Sequence, residues 1–85
     1  MKEFNYKITD PVGIHARPAG QLVKVANQFD SEIVISSGTK RVDAKKILAV
    51  MTLGVRFGQE IKVTISGADE AAALEKISAF LKENL

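Results

Sequence analysis

The sequence of 85 residues contains no cysteine and one histidine, and it has little excess charge. Without cysteine, disulfides, thiolate metal sites and a cysteine nucleophile are all excluded. The absence also removes any sign of adaptation to an oxidising compartment. One histidine and no cysteine argue against a transition-metal centre, and no cofactor is expected. No apolar run approaches the roughly 18 residues needed to span a bilayer. Met1 to Asp10 mixes charged, polar and apolar residues, without the apolar stretch of a secretory signal. A cytoplasmic protein with no direct membrane insertion is therefore expected. The net charge of +2 is too small to argue for nucleic acid. The glycines form neither a P-loop nor a dinucleotide fingerprint, and there is no nucleophile elbow.

What is present points to a small globular domain. The chain is 46% hydrophobic and 26% charged, a balance that folds rather than stays disordered. Its length suits one domain, which must use its core efficiently. Lys40, Arg41, Lys45 and Lys46 fall close together, whereas Asp69, Glu70, Glu75 and Glu83 come later. From charge alone this distribution reads first as an ordinary solvated surface, with a basic face for acidic partners as the other reading.

Hydrophobic spacing gives the elements. Phe4, Tyr6 and Ile8 alternate with polar neighbours, as in a strand buried on one face. Asp10-Pro11 breaks the chain. From Ala16 to Phe29 the spacing of Ala19, Leu22, Val23, Ala26 and Phe29 predicts a helix, with Pro18 suited to its first turn. Glu32 to Ser36 and Lys40 to Val42 read as a hairpin around Ser37-Gly38. Ile47 to Leu53 reads as a short helix ended by Gly54. Glu60 to Ser66 is a strand. Gly67-Ala68-Asp69 opens a last helix with Asp69 as cap or first-turn anion, and Ala73, Leu74, Ile77, Phe80 and Leu81 form its buried stripe. The order β-α-β-β-α-β-α predicts an α+β two-layer sandwich, its sheet antiparallel and its helices on one face.

The chemistry concentrates in Gly13-Ile14-His15-Ala16-Arg17-Pro18-Ala19-Gly20. His15 falls at or next to the N-cap of the first helix. The backbone N–H groups of Ala16 and Arg17 have no intrahelical acceptor and are free for an anion, whereas Pro18 has none to offer. The helix dipole favours negative charge at the same place. Neutral imidazole is a good nucleophile near neutral pH, and a phosphoryl group on its nitrogen remains labile enough to move on. Arg17 offers paired donors to phosphate oxygens. Gly13 permits unusual backbone angles beside the site. Taken singly, His15 also reads as a simple cap or surface residue, and Arg17 as a solvated charge. In that case the chain is an interaction module without chemistry.

This octapeptide resembles the phosphohistidine signature of the HPr family, the phosphocarriers of the bacterial phosphoenolpyruvate:sugar phosphotransferase system. Met51-Thr52-Leu53-Gly54 resembles the end of that family's second helix, and Ser66-Gly67-Ala68-Asp69-Glu70 the entry to its last. The resemblance spans the chain and implies one HPr-like domain over residues 1–85. It implies an open-faced sandwich of a four-stranded antiparallel sheet with three helices on one face. It implies that His15 takes a phosphoryl group on Nδ1 from enzyme I, assisted by Arg17, and donates it to sugar-specific IIA proteins or domains. On this reading the chain is a monomeric protein co-substrate rather than an enzyme. The same site in a regulatory, nitrogen-related phosphorelay is the alternative. Partners would dock on Gly20, Gln21, Lys24, Lys45, Lys46, Ile47, Leu48 and Met51. Of the three apolar residues there, at least one or two should be exposed, since so short a helix cannot bury every face. Many Gram-positive members carry a regulatory phosphoserine where this sequence has Lys46. Lysine cannot accept that group, so regulation at this position is not expected.

Overall fold

The computed structural model describes residues 1–85. Seven elements follow in order: β1 (Lys2–Lys7), α1 (Ala16–Ala26), β2 (Glu32–Ser37), β3 (Lys40–Asp43), α2 (Ile47–Met51), β4 (Glu60–Ser66) and α3 (Glu70–Asn84). The four strands form one sheet in the order β1-β4-β2-β3, with every neighbouring pair antiparallel. β2 and β3 form the expected hairpin, with Ser37 opposite Lys40. β1 and β2 are both antiparallel to β4 and so run the same way. They therefore need a crossover, and α1 supplies it.

Alternation along the strands makes one face of the sheet apolar. Ile33, Ile35, Ile61, Val63 and Ile65 are all essentially inaccessible. The helices bring Ala19, Leu22, Ala26, Val50, Ala73, Ile77 and Leu81 onto them in one core cluster. Each large aliphatic side chain buried this way contributes about 1.5–3 kcal/mol relative to exposure. The outward face stays polar, with Glu3, Lys62 and Arg41 exposed. An α+β open-faced sandwich results, as the order of elements predicts.

Three local expectations are revised. α1 stops at Ala26, three residues before Phe29. The Asn27 side-chain amide donates to the Val23 carbonyl at 2.9 Å. Gln28 and Phe29 then bond back three residues rather than four, the tightening that ends a helix. Phe29 still packs against the core from the loop. α2 is a helix of only five residues, and the Thr52 hydroxyl takes up the Ala49 carbonyl at 2.6 Å. Asp69 does occupy the N-cap of α3, but its side chain makes no capping bond. Its carboxylate instead accepts from the Asp30 N–H at 2.8 Å, the Ser31 N–H at 2.9 Å and the Ser31 hydroxyl.

Candidate functional site

The site is built by the connection from β1 to α1. Asp10 starts a tight turn. Its side-chain Oδ1 accepts the Val12 N–H at 2.8 Å, and its carbonyl accepts the Gly13 N–H at 3.0 Å. Gly13 then passes directly over the Val55–Arg56 backbone with φ +81°. The Ile14 N–H donates to the Val55 carbonyl at 3.0 Å, which fixes the strand of chain leading into His15. His15 is the N-cap of α1, in extended conformation at φ −122° and ψ 179°. Its carbonyl accepts the Ala19 N–H at 2.9 Å and so opens the helix.

The His15 imidazole makes no capping hydrogen bond, and its side chain is 41% exposed. The ring is therefore not used up as a structural cap. Its Nε2 lies 4.0 Å from Asp10 Oδ1. Ala16 and Arg17 form the first turn of α1, where backbone N–H groups lack intrahelical acceptors. No acidic residue sits in that turn to neutralise the helix terminus. Arg17 is exposed, and no ion pair of the structure engages it. Pro18 is buried, holding the turn against the protein without spending an N–H. An exposed imidazole, a free guanidinium and the positive end of a helix thus share one surface, where a phosphoryl group would find donors and favourable charge.

The expected docking residues divide by location. Gln21 and Lys24 are exposed on α1, and Gly20 lies at its contact with α2. A Cβ on Gly20 would stand 3.5 Å from the Ile47 side chain, so a small residue lets the two helices meet. Ile47, Leu48 and Met51 are 41%, 77% and 41% exposed, while Val50 of the same helix is fully buried. All three apolar residues therefore reach the surface, within the expectation of at least one or two. Lys46 is exposed at the N-cap of α2. Lys45 differs from its neighbours. It is half-buried, and its ammonium donates to the Phe29 carbonyl at 2.6 Å, directed at the chain beyond α1.

Two features near His15 escaped sequence reasoning. Asp10 reads in sequence as a chain breaker, yet the turn returns its carboxylate to the imidazole. Its spacing of two residues from an N–H acceptor-seeking turn, as in an Asx turn, was the available signal. The 55–57 loop is the second, because Val55 and Arg56 underlie Gly13 and leave Phe57 63% exposed. Contact so distant in sequence has no local signature.

Comparison with known proteins identifies the family and its fold. The family described as the PTS HPr component phosphorylation site matches residues 2–83. HPr-C-His from Thermoanaerobacter tengcongensis superposes with a TM-score of 0.93 at 36% identity, over 98% of this chain and 93% of that one. The histidine-containing phosphocarrier protein of a Mycoplasma gives 0.94 at 36% identity, over 96% and 93% of the two chains. Phosphocarrier protein HPr from Bacillus anthracis strain Ames gives 0.87 at 34% identity, over 94% and 95%. Sheet order, the histidine at the start of α1 and a match over nearly the full length agree: the chain belongs to the HPr family of phosphotransferase-system phosphocarriers.

Proposed function

We propose that this chain is a cytoplasmic protein co-substrate that carries a phosphoryl group on His15 between two larger proteins. Enzyme I, charged from phosphoenolpyruvate, supplies the group, and sugar-specific IIA proteins or domains receive it for coupled sugar uptake and phosphorylation. The observation that carries this reading is the state of His15: the sole histidine, at the N-cap of an 11-residue helix, with its ring uncommitted to capping. A histidine retained only for structure would spend its ring nitrogens on the helix.

In the charging step, Nδ1 attacks the phosphorus held by the donor. The new P–N bond forms as the donor bond breaks. The backbone N–H groups of Ala16 and Arg17 and the Arg17 guanidinium meet the phosphoryl oxygens. The same groups are in place when the next acceptor takes the phosphoryl group, so they assist transfer without making the carrier a trap. The surface of Gly20, Gln21, Lys24, Lys46, Ile47, Leu48 and Met51 offers an apolar centre with basic residues beside it. That composition suits brief docking on acidic partners. Lys45 lends its stem to this surface, with its charge turned toward Phe29.

Incubation with enzyme I and phosphoenolpyruvate tests the reading. An acid-labile adduct should form on the native protein and vanish in His15→Ala. Arg17→Ala should still be charged, but slower by roughly an order of magnitude or more, as expected when a donor to developing charge is removed. Failure of the native protein to form any adduct would overturn the reading.

A further inference from the structure

We propose that Asp10 is a positioning residue for phosphoryl transfer, pairing with the Nε2 edge of His15 so that Nδ1 is the nitrogen left free for phosphorus. The inference rests on the phosphocarrier reading above. Its starting point is geometric. Asp10 Oδ1 lies 4.0 Å from His15 Nε2, about 1 Å beyond hydrogen-bond contact. The carboxylate is 24% exposed, against 41% for the imidazole. Asp10 is also held from three sides. Its side chain accepts the Val12 N–H, its carbonyl accepts the Gly13 N–H, and its own N–H donates to the Leu85 oxygen at 2.8 Å. It therefore keeps its place while the ring rotates toward it.

The setting of the ring makes this pairing consequential. Arg17 follows in the first turn of α1. Arg56 lies in the loop beneath Gly13. The Leu85 oxygen at the end of α3 is taken up by the Thr9 and Asp10 N–H groups. The helix terminus opposes positive charge on the ring. Asp10 is the one acidic side chain paired with it.

That opposition matters because the ring becomes cationic during the reaction. Neutral His15 with its proton on Nε2 has a lone pair on Nδ1. When Nδ1 bonds to phosphorus and the donor's bond to phosphorus breaks, the Nε2 proton stays, leaving a phosphoimidazolium. Asp10 stabilises that cation across Nε2–H. In release, the P–Nδ1 bond breaks and its electron pair returns to Nδ1. The phosphoryl unit passes to a partner imidazole nitrogen, or to water, which gives up a proton to form inorganic phosphate. Because Nε2 keeps its proton throughout, the departing group is neutral imidazole rather than imidazolate. Asp10 thus selects the tautomer before transfer and favours the labile protonated form after it.

The test uses Asp10→Asn and Asp10→Ser, both of which retain an oxygen to accept the Val12 N–H. Nitrogen-15 NMR of the uncharged proteins reads the imidazole tautomer. The Nε2–H form should dominate in the native chain and lose share in both variants. Hydrolysis of the charged proteins across pH is the second readout. The native profile should extend to higher pH than that of either variant, because each variant removes the carboxylate that stabilises the phosphoimidazolium. Michaelis constants with enzyme I should stay unchanged, since the docking residues are untouched. Tautomer ratios and profiles superimposable on the native ones in both variants would overturn the proposal. So would a raised Michaelis constant with an unmoved profile. If the native chain accepts no phosphoryl group, the carrier reading fails separately, and the tautomer measurement still decides whether Asp10 pairs with His15.

Discussion

Gly13 lies so close to Arg56 that a Cβ on it would stand 2.7 Å from the Arg56 Cα, with the Val55 carbonyl oxygen nearer still. The two segments are joined by the Ile14–Val55 hydrogen bond, so the approach of the 55–57 loop places the chain entering His15. Two requirements coincide at this glycine. Its φ of +81° disfavours any side chain, and the space for one is filled by backbone that cannot step aside.

Gly13→Ala is therefore expected to be costly in both stability and activity. Left-handed backbone alone costs on the order of 1–3 kcal/mol for a non-glycine residue, and the collision adds to it. Gly38 provides the control. It has φ +61° with nothing within 4 Å of the added Cβ. Gly38→Ala should thus cost only the backbone preference, about 1 kcal/mol. Each kcal/mol lowers the melting temperature by roughly 4–8 °C in a domain of this size. Calorimetry should place Gly13→Ala well below Gly38→Ala, and phosphoryl transfer should slow only in the former.

The acid limb of stability should depend on Asp69. Hydrogen bonds from the Ser31 hydroxyl and from the Asp30 and Ser31 N–H groups hold its carboxyl below its ordinary range, against the opposing effect of desolvation. A carboxylate lowered in the folded state stabilises the fold above its unfolded value. That contribution fades as pH falls through the ordinary carboxylate value toward the lowered one. Urea midpoints of the native chain should therefore fall as pH drops below about 4. Asp69→Asn should start lower at neutral pH and show a flatter acid limb. Identical slopes for the two proteins would show that this carboxylate is not linked to folding.

Asp69 also marks where sequence reasoning stops. Elements set by local periodicity were legible: Ile61, Val63 and Ile65 alternate strictly, and β4 spans the expected Glu60–Ser66. The position of Asp69 before α3 was legible as well. Its use was not, because Asp30 and Ser31 are 39 and 38 residues away and compete with the helix for its oxygens. The end of α1 fails for a similar reason. Apolar spacing continues to Phe29, but the Asn27 amide takes the Val23 carbonyl and also reaches Lys45 across the gap to α2. At the candidate site, His15 and Arg17 were readable from the helix start. The Asp10 pairing was not, since it depends on how tightly the turn at Pro11 returns.

The exposed face of α2 separates docking from folding. Leu48 is 77% exposed, whereas Val50, two residues on, is fully buried. Leu48→Asp should change stability by no more than about 0.5 kcal/mol, as surface substitutions do. It should nevertheless raise the Michaelis constant with enzyme I, because it places a charge in the apolar centre of the proposed contact. Val50→Ala should do the reverse, losing about 2 kcal/mol through lost burial and a residual cavity with little effect on docking in the folded fraction. Lys46, exposed at the N-cap of α2, supplies the electrostatic arm. Lys46→Glu should slow charging by enzyme I several-fold at low salt, and the difference should shrink as ionic strength rises. A salt-independent effect would instead mean that Lys46 acts by contact geometry. A wild-type rate for Leu48→Asp would place the docking face elsewhere on the molecule.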